Sequence, residues 1–249
     1  MIGAGSWTLS ACNNEGNEGS CGSPGACYNS SGRPDPSGVY RGVLTENATQ
    51  QSTSVLALFA ENGDARMSGG DGTYYHFHLK AGDSGDPISG SYDGIASSPV
   101  FPDGSRNTRG TLALQVAPGE RITGTLTDGS GDVETLSLTF NTVYQTGSAL
   151  AALAGNWSAS TPGVTFSISI QPNGAFTGTD AKCAYSGVFD LIDPQGDVYA
   201  LTFARTCGSV SDANFTGLAT EFPAFDDSPA LLYLLADDGA GDALVVNLQ

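Results

Sequence analysis

The sequence predicts an all-β fold, built as two tandem small antiparallel β-barrels or sandwiches. Three observations carry that expectation. Thirty-four glycines among 249 residues separate short alternating stretches rich in Thr, Val, Phe and Tyr, the pattern of half-buried strands joined by tight turns. Asn-Gly and Asp-Gly pairs sit between such stretches, and these are turn residues because they tolerate positive φ. The turn signals also recur at a nearly constant offset: 173 − 62 = 111 for Asn62-Gly63 and Asn173-Gly174, and 238 − 128 = 110 for the Asp-Gly-x-Gly-Asp segments that begin at Asp128 and Asp238.

In chain order, residues 13–37 carry almost no large apolar side chain and are rich in Gly, Ser, Asn and Pro. Such a stretch cannot offset its ordering entropy by burial and is expected to be a flexible tether. Gly38-Val-Tyr40 opens the first β-domain, and Gly155-Asn-Trp157 opens the second. Each then runs into an Asn-Gly hairpin, with Leu56, Leu58 and Phe59 before Asn62, and Phe166, Ile168 and Ile170 before Asn173. Each has a Tyr-x-Gly strand, at Tyr92 and Tyr185, and each closes on an Asp-Gly-x-Gly-Asp hairpin. Matched in this way, the first copy has 92 − 62 = 30 residues from hairpin to Tyr-x-Gly strand, against 185 − 173 = 12 in the second. The strand bearing His76 and His78 is therefore expected to lack a counterpart. Ser148 to Gly155 has a Ser cap, Leu150 and Leu153 three apart, and a Gly stop, which predicts one short connecting helix. The expected domains are 38–149 and 150–249, each able to fold as its own unit.

The five cysteines, Cys12, Cys21, Cys27, Cys183 and Cys207, are an odd number. Leu9-Ser10-Ala11-Cys12 resembles the lipobox of bacterial lipoproteins, in which the cysteine sulfur receives a diacylglyceryl group and the leader is cleaved just before it. The resemblance implies that residues 1–11 are the remnant of a signal peptide. It also implies that Cys12 is the lipidation site and that residues 12–37 tether the folded part to a membrane. Met1 to Ala11 contain no Lys or Arg and are shorter than a full basic-plus-apolar leader. With Cys12 set aside, four cysteines allow two disulfides. Cys21 with Cys27 and Cys183 with Cys207 is the simplest of three connectivities, and a zinc site is the rival reading. Leu150 to Trp157 resembles lipocalin-like barrels, where a helical turn precedes Gly-x-Trp and the Trp plugs the closed end. Phe176 to Gly187 is similar to a segment of META-type lipoproteins, with Ala184 where their Asn stands. More broadly the chain resembles uncharacterised proteobacterial lipoproteins with small β-domains.

The charge balance narrows the function. Twenty-six acidic against 9 basic residues give a net charge of −17, which repels phosphate backbones, so no nucleic-acid partner is expected. No run of 18 apolar residues offers a membrane-spanning helix. In Thr73–Lys80, His76 and His78 project from one strand face and Tyr75, Phe77 and Leu79 from the other. His-x-His on a strand can clamp a metal once a third ligand joins, with Asp64, Asp71 and Asp83 near in sequence, while exposed histidines opposite a buried face explain the pattern equally. The Asp-Gly-x-Gly-Asp turns lack EF-hand spacing, and ordinary hairpin chemistry accounts for them. Gly82-Asp-Ser84-Gly-Asp86-Pro87 nearly spells the nucleophile box of chymotrypsin-like proteases, but both histidines lie six to eight residues before the serine and Asp86 replaces a glycine. The expected function is therefore a membrane-anchored cell-envelope binding module without catalysis or cofactor. Its expected partner is a protein or small ligand in the envelope. The alternatives are an inhibitor or immunity lipoprotein that neutralises a hydrolase, and a lipocalin-like carrier.

Overall fold

The computed structural model describes residues 35–80, 87–96, 101, 105–161, 164–208, 210–225 and 228–249. Cys12, Cys21 and Cys27, the part of the expected tether before 35, and Asp83, Ser84 and Asp86 lie outside the described residues. The first half is a closed barrel of eight strands: β1 (Gly38–Glu46), β2 (Ser52–Phe59), β3 (Asp64–Gly69), β4 (Thr73–Lys80), β5 (Ile88–Ala96), β6 (Asn107–Ala117), β7 (Arg121–Asp128) and β8 (Val133–Asn141). Each strand pairs antiparallel with the next, and β1 also pairs with β8, so Gly42 faces Val55 on one side and Leu138 on the other. The second half repeats the order with β9 (Gly155–Thr161), β10 (Val164–Ile170), β11 (Ala175–Thr179), β12 (Cys183–Leu191), β13 (Tyr199–Cys207), β14 (Val210–Phe222), β15 (Leu231–Asp237) and β16 (Ala243–Leu248). Its ends meet more lightly, through two 2.9 Å hydrogen bonds between the backbones of Ser158 and Gln249.

Alternation decides which side of each wall is wet. Along β8, Leu136 and Leu138 are buried while Thr135, Ser137 and Thr139 are exposed. Both barrels are filled by such inward side chains, among them Tyr40, Phe59, Met67, Phe77 and Leu114 in the first and Trp157, Phe189, Leu201 and Phe215 in the second. An apolar interior under a largely polar outer wall is the reverse of a membrane-spanning barrel. No helix among the described residues is long and apolar enough to cross a membrane.

The duplication extends to atomic detail. Gly38 and Gly155 enter their first strands at φ 150° and 148°, and Gly63 and Gly174 turn the second hairpins at 86° and 84°. In the closing hairpins the Asp128 side chain accepts from the backbone N–H of Ser130 (2.9 Å) and Asp132 (3.0 Å). Asp238 does the same for Ala240 (2.8 Å) and Asp242 (2.9 Å).

Three expectations are corrected. Tyr92 lies on the fifth strand of its barrel and Tyr185 on the fourth of its own, so the two Tyr-x-Gly strands do not correspond. The offset that holds at the hairpins carries Tyr185 onto Tyr75 (185 − 75 = 110), and β4, with both histidines, does have a counterpart in β12. A Tyr-x-Gly triplet is simply too common in strands to set register. Likewise, 148–154 is not the helix. It forms successive i→i+3 turns, because Leu153 is drawn fully into the second core and its carbonyl accepts the Trp157 indole N–H at 2.8 Å. The short 3₁₀ helix is Thr142–Thr146, capped by the Asn141 side chain on the Val143 N–H at 3.1 Å.

Cys183 and Cys207 face each other across β12 and β13 and are disulfide-bonded. Reducing this bond should lower the stability of the second barrel by about 2–4 kcal/mol, read from denaturant unfolding with and without reductant. Barrel closure depends on glycine where walls approach closely. A Cβ on Gly42 would sit 1.9 Å from the Ser137 carbonyl oxygen on β8. Gly42→Ala should therefore destabilise the first barrel by about 1–3 kcal/mol or more through overpacking, whereas Val43→Ala next to it, on the outer wall, should change stability by less than about half that.

Candidate functional site

The barrels are joined by a shared apolar layer that neither could bury alone. Val39, Leu58, Ala60 and Tyr74 on the outer wall of the first barrel pack with Val198, Leu218, Tyr233 and Leu235 of the second. The strands at this seam are buried on both faces, so they read as unbroken apolar runs, Val55–Ala60 and Leu231–Ala236, in place of alternation. The Arg41 guanidinium stacks over the Phe222 ring at 4.6 Å, also across the seam.

Within this layer Arg66, on the outer face of β3, is only 1% exposed. Its Nε donates to the Asp64 carboxylate at 3.1 and 3.2 Å, and its Nη2 donates to Asp64 and to Thr216 of the second barrel, both at 3.2 Å. Its Nη1 donates to the Tyr74 hydroxyl at 2.6 Å and to Asp237 at the end of β15. Tyr74 in turn donates to Asp237 at 2.6 Å, and the Gly239 N–H donates to the other Asp237 oxygen at 2.9 Å. His76 completes the group, with Nδ1 3.2 Å from Asp237 and Nε2 3.4 Å from Asp64. Next to it, Ser68 and Tyr233 share a buried hydroxyl–hydroxyl hydrogen bond across the seam.

Two carboxylates, one guanidinium and one imidazole balance in charge when His76 is protonated, and the electrostatics hold it so. Burial pulls the His76 pKa down, but hydrogen bonds to Asp237 and Asp64 outweigh it and raise the value from 6.5 to about 9. Burial would raise Asp237, yet the His76 and Tyr74 hydrogen bonds and the Arg66 charge hold it well below the usual carboxylate range. Asp64 is lowered too, against its burial, by its hydrogen bond with His76 and by Arg66.

Beside this lock the seam opens into a cleft of about 700 Å³. Its first wall is His76, His78, Asp93, Asn107, Thr108 and Arg109; its second is Asn214, Thr216 and the hairpin from Asp237 to Gly241. His78 and Arg109 both engage Asp93, at 2.8 and 2.6 Å, on the outer wall of the first barrel. The His76 and His78 rings lie 4.4 Å apart on β4. Of the carboxylates near them in sequence, Asp64 does reach His76, Asp71 lies at the far mouth of the barrel, and Asp83 is outside the described residues. Asp64 and Asp237 are already engaged by Arg66, and among the described residues no three His, Cys, Asp or Glu side chains are arranged to hold a metal ion.

Arg66, Tyr74, Tyr233 and Asp237 are the site residues that sequence reasoning missed. A signal was present for one of them: Asp237 directly follows the apolar run Leu231–Ala236 and adds a second acid where the first copy has Thr127. No protein-family model, curated protein or solved structure matches this chain.

Asp237→Asn should cost about 3–5 kcal/mol, the effect of leaving a buried cation without its partner, measured by denaturant unfolding. His76 has a raised folded pKa, so its contribution is fully present below about pH 6.5 and is lost as pH rises through about 9. That loss should amount to about 2–3 kcal/mol, and His76→Gln should flatten the stability profile between pH 6.5 and 9.5.

Proposed function

We propose that this chain is a cell-envelope binding module, held at a membrane through acylated Cys12 and recognising a protein or small ligand in the cleft between its barrels. The observation that carries the reading is a concave cleft walled by polar and charged side chains of both barrels and kept in shape by the Arg66–Asp237 lock. Several features support it. The Cys183–Cys207 disulfide suits an oxidising compartment. The barrel interiors are filled with side chains, which disfavours a carrier that swallows its cargo and moves recognition to the outer surface. Both nitrogens of His76 are turned to carboxylates, which suits a structural cation better than a general base.

Two experiments test this. Expressed behind a complete lipoprotein leader, the parent protein should partition to the membrane fraction and Cys12→Ala should not; equal partitioning, or no acyl mass on Cys12, would overturn the anchor. A photo-crosslinking residue placed at Asn107 or Asn214, on the two walls of the cleft, should form one defined adduct in the native envelope. The same residue at Thr125, exposed on β7, should not, and identical adducts from all three positions would remove the cleft from the function.

A further inference from the structure

The mouth of the first barrel, whose lining shares only Thr108 with the seam cleft, carries a second feature. Inward-pointing positions along β1, β7 and β8 are apolar through the barrel (Leu44, Leu126, Leu136) and end at the mouth in Glu46, Asp128 and Glu134. Asp71, from the turn between β3 and β4, joins them around a cavity of about 210 Å³. The floor is aromatic: Tyr75 meets the rings of Tyr92 and Phe101 edge-on at centroid distances of 5.8 and 6.4 Å.

We propose that this mouth binds a small organic cation, an alkylammonium group seated on the Tyr75–Tyr92–Phe101 floor and ringed by Glu134, Glu46 and Asp71. Four observations point there. Tyr92 is 2% exposed and lines the cavity, yet its hydroxyl makes no hydrogen bond to another described residue. Glu134 also has no hydrogen-bond or ion-pair partner among the described residues, and it stands directly opposite Glu46 in the β1–β8 register. Like charges facing each other across strands are destabilising unless a cation comes between them. Among the described residues no basic side chain lines the cavity. The second barrel does without the arrangement: by the offset of the closing hairpins (242 − 132 = 110), Glu134 corresponds to Leu244, which packs against the second core.

The acids are not gathered for a metal, since among the described residues no three ligating side chains converge. Carboxylates spread around aromatic rings suit a larger, softer cation, held by ring faces and by diffuse charge. Burial, then the charges of Glu46, Asp71 and Asp128, push Glu134 up to about 7. Those three acids, with Asp132 and the Tyr75 and Tyr92 hydroxyls, are the titratable groups facing it among the described residues, from β1, the β3–β4 turn, β7, the β7–β8 hairpin, β4 and β5. A cation favours ionised Glu134, so affinity should rise with pH between 6 and 8.

The test uses the purified chain, with cadaverine as a free amine and Nα-acetyl-lysine methylamide as a stand-in for a lysine side chain. Titrations are followed by calorimetry and by the Tyr92 ring resonances. Saturable binding of either probe, at least tenfold weaker in Glu134→Gln and severalfold weaker in Tyr92→Phe, supports the site. The probe that binds more tightly says whether the ammonium comes from a metabolite or a protein. Glu134→Leu, which copies the second barrel, should abolish binding while raising the melting temperature, showing that loss of binding is not loss of fold. The proposal is overturned if neither probe saturates at millimolar concentration, if Glu134→Gln binds as well as the parent, or if equimolar calcium displaces the amine.

Discussion

The pairing of Arg66 with Asp237 is the constraint on which the relation between the two barrels rests. A guanidinium taken out of water loses hydration worth several kcal/mol and can be tolerated only where charge and hydrogen bonds replace it. Arg66 finds Asp64 and Tyr74 in its own barrel, but Asp237 and Thr216 belong to the other. Sliding one barrel along the other would leave a buried cation short of its counter-charge, so the seam has one favourable register. Non-directional packing of Val39, Leu58, Leu218 and Leu235 supplies the adhesion, and the ion network supplies the alignment. The hairpin from Asp237 to Asp242 follows from this, because its first carboxylate is held on one side by Arg66 and on the other by the Gly239 N–H. That hairpin is one wall of the cleft, and the wall is therefore as rigid as the lock.

What could be read from the residues alone divides along the same line. Features with short-range causes were legible: the Asn-Gly hairpins, because their φ demands act on two residues; the alternation of β8, because its period is two; the Cys183–Cys207 pairing, because the two thiols sit at the ends of neighbouring strands. The correspondence of Tyr92 with Tyr185 failed because a three-residue pattern competes poorly with an offset supported at several turns, and that offset pointed to Tyr75. The seam was not legible as a site. Arg66 and Asp237 lie 171 residues apart, and nothing local marks them as partners. What did mark them was a breach of alternation. Val55–Ala60 and Leu231–Ala236 are apolar on both faces, and a strand with two apolar faces must be covered on both. Read that way, the runs argue against fully independent halves, and a charged residue beside such a run is a candidate for a buried pair.

The two barrels share one plan, and their differences concern what each does with its surfaces. Equivalent turns keep their hydrogen bonds almost unchanged, because any departure would break the hairpins that set strand order. Divergence falls on positions that the plan leaves free. On outer walls, Asp237 replaces the Thr127 of the first copy and captures Arg66. At the barrel ends, the second copy has Leu244 packed on its core and a disulfide tying β12 to β13, where the first keeps Glu134 and an open cavity. One copy has used the end of its barrel for stability; the other has left it acidic.

That contrast separates structural charge from functional charge. In the seam network Arg66, Asp64, Asp237 and His76 each meet an opposite charge, and the four charges sum to zero with His76 protonated; such a network spends itself on holding the barrels in register. At the mouth, Glu46 and Glu134 face each other with Asp71, Asp128 and Asp132 around them and no basic side chain among the described lining residues. A local conflict of this kind lowers stability, and natural sequences concentrate such conflicts where a ligand resolves them. The wide seam cleft and the small acidic mouth therefore differ in kind. The cleft is a surface shaped by a satisfied network, suited to a partner that meets Asn107, Arg109, Asn214 and the Asp238 hairpin at its rim. The mouth is an unsatisfied one, whose electrostatics are complete only when positive charge arrives from outside.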